Sequence, residues 1–246
     1  MTGALLPIRP MTRTKKNILI VEDEADLSEL LRYNLEREGY QCRLAGSGDA
    51  ALSEARRAPP DLIILDRMLP GLPGDEVASR LKRDSRCSSV PIIMLTAKAE
   101  ETDELVGFAL GADDYVTKPF SMKLLLVRVA AVLRRAEPMQ SEPEALSAGP
   151  VVADRGRHEV TVNGRNVPIT ATEFRILAAL MQARGRVLDR AQLIDRALGA
   201  DVVVSDRTID VHVTSLRKKL AAAAAWIHTV RGVGYAFREP GDSDES

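Results

Sequence analysis

The sequence predicts an α/β protein in which a doubly wound, five-stranded parallel sheet is followed by a smaller α+β domain. Three observations carry this reading. Short apolar runs alternate with amphipathic helical segments over residues 17–137, as in strand–helix–strand units whose strands are buried on both faces. The stretch Glu137-Pro138-Met139-Gln140-Ser141-Glu142-Pro143 then breaks all periodicity, as a linker does. The charge also changes sign across it. Residues 17–137 hold 16 Lys/Arg against 21 Asp/Glu and residues 144–238 hold 14 against 9, although the whole chain of 246 residues carries only −1. An acidic half joined to a basic half points to two domains with different partners, nucleic acid being a natural one for the basic half. The expected division is a disordered leader over 1–16, a first domain over 17–137, a linker over 138–146, a second domain over 147–239 and a disordered acidic tail over 240–246.

Composition narrows the class. With 45% hydrophobic and 28% charged residues, the chain has ample material for a core. No apolar run approaches the roughly 20 residues that span a bilayer, so no membrane partner is expected. The leader carries Arg9, Arg13, Lys15 and Lys16 without the apolar core of a secretory signal. Cys42 and Cys87 are the only cysteines and have no neighbours at metal-ligand spacing, which fits reduced thiols in a cytoplasmic protein.

The first strand is Asn17-Ile18-Leu19-Ile20-Val21, ending in Glu22-Asp23-Glu24. Leu27, Leu30, Leu31 and Leu35 recur at helical spacing up to Gly39. Gln41 to Leu44 reads as a weaker strand and Ala50 to Arg57 as a short helix stopped by Pro59-Pro60. Leu62-Ile63-Ile64-Leu65 is a buried strand ending in Asp66, and a helix follows over Asp75 to Lys82. Pro91 to Thr96 is the fourth strand, Asp103 to Leu110 a helix, Asp114 to Pro119 the fifth strand and Ser121 to Arg135 the closing helix. Gly46 and Gly48 form a lone G-x-G with no third glycine opening a helix, too little for a dinucleotide site.

In such a sheet all carboxyl ends open on one edge, where these folds place their chemistry. That edge receives Glu22 and Asp23, Asp66, Thr96 and Lys118. Three carboxylates so placed repel one another unless a hard divalent cation lies between them, and oxygen ligands in an open site suit Mg²⁺. Lys118 and the metal can neutralise an incoming phosphoryl group, Thr96 offers it a hydroxyl, and Asp66 stands where a carboxylate nucleophile would.

These residues carry a family resemblance. Ile20-Val21-Glu22-Asp23-Glu24, Leu65-Asp66-Arg67-Met68-Leu69-Pro70-Gly71, Leu95-Thr96-Ala97 and Gly111-Ala112-Asp113-Asp114-Tyr115-Val116-Thr117-Lys118-Pro119-Phe120 resemble the receiver domain of bacterial response regulators, a flavodoxin-like fold. The resemblance implies that Asp66 accepts a phosphoryl group from a sensor histidine kinase. It implies Mg²⁺ held by Asp23, Asp66 and the carbonyl of Met68, with Glu22 acting through water. Thr96 and Tyr115 would be the switch pair, and Lys118–Pro119 a cis peptide. Receivers of the subfamily named below dimerise through their closing face with cross-subunit ion pairs. Asp114 and Arg135 are in place for one pair, whereas Glu104, Ala109 or Leu110, and Leu124 replace other usual charges and leave Arg128 without its usual partner.

In the second half, Val151-Val152 and Val160-Thr161-Val162 flank turn residues, and Asn163-Gly164 predicts a hairpin before Asn166 to Ile169. Thr170 or Thr172 can cap a helix over Glu173 to Ala183, and Asp189 starts a shorter helix to Leu198. From Ser205 to Leu220, Ile209, Val213, Leu216 and Leu220 form one buried stripe. Arg207, Val211, Thr214 and Lys218 fall on the opposite face, with Ser215 and Arg217 at its margins and His212 at the edge of the stripe. A face mixing basic, hydroxyl and small apolar groups suits a DNA major groove, although an ordinary solvated helix shows much the same pattern. The following glycine-turned hairpin, His228 to Phe237, presents Arg231 near its tip, within reach of a minor groove.

Arg207-Thr208-Ile209-Asp210-Val211-His212-Val213, Leu216-Arg217-Lys218-Lys219-Leu220 and Val230-Arg231-Gly232-Val233-Gly234-Tyr235 resemble the winged helix-turn-helix domain of the OmpR/PhoB subfamily. That likeness implies double-stranded DNA as a partner, a homodimer when phosphorylated, and RNA polymerase contacts in some members through the loop at Asp201 to Val204. Trp226 reads as core, and the run Ala221 to Ala225 has no functional reading. Two rivals differ from this phosphorylation-switched transcription factor. One is an aspartyl-phosphate phosphatase or transferase, for which haloacid-type enzymes place a second Asp where this chain has Met68. The other is a DNA-binding protein with a vestigial, phosphate-independent receiver.

Overall fold

A computed structural model describes residues 15–97, 112–136, 145–199 and 207–241. The leader to residue 14, the helix expected over Asp103 to Leu110, most of the linker, the loop Asp201 to Val204 and the tail from 242 lie outside the described residues.

The first domain contains strands β1 (Asn17–Val21), β2 (Gln41–Ala45), β3 (Leu62–Asp66), β4 (Ile92–Ala97) and β5 (Asp114–Lys118). They form one parallel sheet in the order β2-β1-β3-β4-β5. Its helices are α1 (Ala25–Arg37), α2 (Gly48–Arg57), α3 (Gly74–Arg83) and α4 (Met122–Ala136). Alternation along each strand explains why the apolar runs are continuous. Leu19, Val21, Ile63, Leu65, Ile92 and Met94 face α2 and α3, burying Ala51, Leu52, Val77 and Leu81. Ile18, Ile20, Leu62, Ile64, Ile93 and Leu95 face the other way, against Leu31 and Leu35 of α1 and Leu125, Val129 and Val132 of α4.

The boundaries move by a residue or two for identifiable reasons. Helix α2 begins at Gly48 rather than Ala50, because the Ser47 side chain accepts the Ala50 amide as its N-cap. Helix α3 begins at Gly74, where a Cβ would stand 2.2 Å from the Asp66 carbonyl oxygen. Only glycine lets this loop close so tightly over the end of β3.

The second domain opens with an antiparallel sheet of β6 (Ala145–Ala148), β7 (Val151–Asp154), β8 (Glu159–Val162) and β9 (Arg165–Val167). Asn163 and Gly164 take positive φ at the expected hairpin turn. Helices α5 (Ala171–Gln182), α6 (Arg190–Ala197) and α7 (Arg207–Leu220) follow, with a 3₁₀ segment over Ala221–Trp226. The polyalanine run is thus a separate 3₁₀ segment, set off from α7 by the positive φ of Ala221. A second sheet joins β10 (Leu188–Asp189), β12 (Gly234–Phe237) and β11 (Ile227–Val230), of which β11 and β12 are the glycine-turned hairpin. Thr170, not Thr172, caps α5, in a capping box closed by Glu173. Ile209, Val213, Leu216 and Leu220 are all buried, in one core with Phe174, Leu177, Leu180 and Phe237. Trp226 packs against that core. His212 lies within the domain at 1% exposure, not at a surface edge where it could touch phosphate.

Candidate functional site

Strand register brings the first set of residues together. Val21 pairs with Leu65, so Glu22 and Asp66 leave neighbouring strands side by side. Asp66 pairs with Leu95, the residue before Thr96, and Ala97 pairs with Lys118. Ligand atoms of Glu22, Asp23 and Asp66 all lie within 4.8 Å of one another. Glu22 and Asp66 are buried and Asp23 is exposed, which makes a pocket open on one side. Lys118 bridges the two buried carboxylates, its Nζ 2.9 Å from Glu22 Oε2 and 2.8 Å from Asp66 Oδ2.

The electrostatics follow from this crowding. Burial, reinforced by the negative charge of Asp66, raises the Glu22 carboxyl despite the hydrogen bond from Lys118. Burial works against the Lys118 ammonium, but its hydrogen bonds to Asp66 and Glu22 win and push it up. Three carboxylates against one ammonium leave an excess of negative charge, and their all-oxygen donor set fits a hard divalent cation such as Mg²⁺.

The amide of Met68 donates to Asp66 Oδ1 at 3.1 Å, while the Met68 side chain is exposed. Thr96 is buried at the same edge, and its hydroxyl donates to the Ala97 carbonyl at 3.0 Å. Tyr115 is half-buried on β5, and the Lys118–Pro119 peptide is cis. Asp114 and Arg135 do not pair within the chain. Asp114 is held instead by Arg128, whose Nη1 lies 2.7 and 3.0 Å from its two oxygens, a pair within the chain rather than the cross-subunit pair that the resemblance implies. Burial brings the Arg135 guanidinium down to about 10, and its Nε donates to the Ala131 carbonyl.

On the second domain, Arg207, Thr214 and Lys218 of α7 are exposed and Val211 is half-buried; Arg231 is exposed at the hairpin tip. The two marginal residues are engaged inside the domain. Ser215 Oγ donates to Glu173 Oε1 at 2.7 Å, and Arg217 Nη2 donates to the Ile227 carbonyl at 2.6 Å and to Thr229 Oγ1 at 2.8 Å. The hairpin is tied to α7 through Asp210, whose Oδ1 accepts Tyr235 Oη at 2.6 Å and Arg190 Nε at 2.9 Å.

Sequence reading missed a third cluster. Asp113, wholly buried just before β5, accepts the Ile92 amide and Lys82 Nζ from its own domain, each at 3.0 Å. It also accepts Thr172 Oγ1 at 2.7 Å and Arg175 Nη2 at 3.1 Å from α5 of the second domain. Burial opposes the charge of Asp113, but Lys82 and Arg175, helped by the Thr172 hydroxyl and the Ile92 amide, hold its carboxyl down at about 2. The motif Asp113-Asp114 was visible, but nothing local tells which domain its first carboxylate serves.

Comparison with known proteins gives both halves a family. The profile described as a response regulator receiver domain matches residues 18–130, and that described as a transcriptional regulatory protein, C terminal, matches residues 164–237. The chain is 47% identical over 224 residues to the sensory transduction protein RegX3 of Mycobacterium tuberculosis H37Rv, covering 89% of this chain and 97% of that protein. It is 48% identical over 222 residues to the phosphate regulon transcriptional regulatory protein PhoB of Rhizobium meliloti, with the same coverage. Among solved structures, a cysteine-substituted mutant of RitR superposes with a TM-score of 0.75 at 29% identity, over 91% of this chain and 99% of that one. The two profiles in this order, with this extent of identity to RegX3 and PhoB over nearly their whole length, make the chain a member of the OmpR/PhoB family of transcriptional response regulators.

Proposed function

We propose that the chain is switched by phosphorylation at Asp66 and binds promoter DNA through α7 and the β11–β12 hairpin. The observation that carries the reading is the position of Lys118, which bonds both Asp66 and Glu22 beside Asp23. An Asp66 oxygen forms a bond to phosphorus as the phosphorus–nitrogen bond of a kinase phosphohistidine breaks. Lys118 faces the charge that develops on the phosphoryl oxygens, and Thr96 offers its hydroxyl to one of them. Glu22, Asp23 and Asp66, with the backbone of Met68, would hold Mg²⁺, which supplies charge neutralisation when bound. Tyr115 responds with Thr96 as the switch pair.

On DNA, Arg207, Lys218 and Arg231 neutralise phosphates, while Thr214 and Val211 face base edges. Phosphorylation favours a receiver dimer through the face that carries Asp114 and Arg135. Two tethered reading heads then meet tandem half-sites at raised effective concentration. The loop before α7 touches RNA polymerase, and the protein works in the cytoplasm. Labelled acetyl phosphate with Mg²⁺ tests the first step: the wild type takes up label and D66A does not. An unlabelled wild type would favour the vestigial receiver instead.

A further inference from the structure

Glu173 is 2% exposed, and both of its carboxylate oxygens are occupied. Oε2 accepts the Thr170 amide at 2.7 Å, which closes the cap of its own helix. Oε2 also accepts Lys219 Nζ at 2.7 Å, and Oε1 accepts Ser215 Oγ at 2.7 Å. A helix cap needs only the first of these bonds. The other two come from α7, from residues four apart and therefore one above the other on a single side of that helix. A helix held at two points one turn apart cannot roll about its axis without breaking charge-assisted hydrogen bonds.

Roll decides what α7 presents. At the observed roll, Arg207, Thr214 and Lys218 are exposed and Val211 is half-buried, while Ser215 is turned toward α5. We propose that Glu173 is a positioning residue for DNA recognition: it fixes the roll of α7 by holding Ser215 and Lys219, and Ser215 serves this clamp rather than a base edge. The inference rests on α7 being the helix that enters the groove. It also assigns Lys219 a role distinct from that of its neighbour Lys218, because the Lys219 ammonium is tied to a buried carboxylate and is not free to follow a phosphate.

The test uses the full-length phosphorylated protein and two duplexes. One is enriched by the wild type from a random-sequence pool, and the other is a scrambled duplex of equal length. E173Q places an amide N–H where Oε2 received two donors, and the preference for the enriched duplex should fall about tenfold, the scale of one good base contact. Affinity for the scrambled duplex and its salt slope should stay unchanged, since no phosphate-binding charge is lost. K219M should lower the preference severalfold, again with an unchanged slope, and it carries the test if E173Q fails to fold. Selection repeated with S215A should return the same motif. An unchanged preference in both E173Q and K219M, a slope reduced by about one in K219M, or one relaxed motif position with S215A would each overturn the proposal. A wild type that enriches no duplex at all would instead remove the reading of α7, and this inference with it.

Discussion

Among the described residues, Lys118 is the one cation bonded to the two buried carboxylates of the pocket, so its loss has a specific signature. K118M should leave the acidic cluster in place while slowing labelling of Asp66 by about 10²-fold, the usual scale for removing one preorganised electrostatic partner. A time course with labelled acetyl phosphate checks this, and an unchanged rate would take Lys118 out of the chemistry. His212 makes a separate prediction about pH. Burial pushes its imidazole down to about 4, so the folded chain resists a proton that the unfolded chain accepts near 6.5. Above 6.5 both states are neutral at this residue and nothing changes. As pH falls from 6.5 toward 4, only the unfolded state gains the proton and stability drops, by on the order of 3 kcal/mol. Urea unfolding of the wild type and H212Q at pH 7.5 and 4.5 isolates the effect, with the wild type expected to lose more on acidification.

At the scale of elements, the first turn of α5 is gripped from two directions. Thr172 and Arg175 bind Asp113 of the receiver, while Glu173 between them binds α7. D113A would leave Lys82 and Arg175 buried without their carboxylate and should cost about 3–5 kcal/mol in urea unfolding. R175M leaves Asp113 its bonds to Lys82 and the Ile92 amide, so the receiver should keep its own stability while the seam loosens. Faster proteolysis at linker residues 138–146 is the expected readout. Of these features, the strands and the Glu22, Asp23, Asp66, Thr96 and Lys118 set were legible in sequence, because each strand end is marked locally by an apolar run and its terminal polar residue. The parallel register then does the assembling. The stripe of Ile209, Val213, Leu216 and Leu220 was legible for the same reason, as a period within one element. The Asp113–Thr172 bond was not, because its ends are 59 residues apart and belong to different domains. Ser215 stands at the margin of two faces, where periodicity cannot decide between groove and core, and its bond to Glu173 on another helix is not visible in the spacing of one helix.

Over the whole molecule, β5 connects two edges of the receiver sheet. Lys118 closes it at the carboxylate pocket, and Asp113 precedes it at the seam with the second domain, roughly 16 Å away at about 3.3 Å per residue. Tyr115 lies between them on the same strand. A single element therefore touches the carboxylate pocket, Tyr115 and the contact to the second domain, and under the proposed phosphorylation it is a short physical route from Asp66 to the rest of the chain. In the proposed DNA complex, Arg231 at the exposed hairpin tip adds phosphate affinity that does not depend on that route. R231A should weaken binding to any duplex and reduce the salt slope by about one, and an unchanged slope in a filter-binding titration would take Arg231 out of the interface. The most direct measurement of the central claim is the DNA affinity of the full-length chain with and without acetyl phosphate and Mg²⁺, for the wild type and for D66A. The wild type should tighten about tenfold, within the usual range of coupling between sites, and D66A should not respond. An equal response in both proteins, or none in the wild type, would contradict the claim that the carboxylate pocket governs the DNA-binding domain.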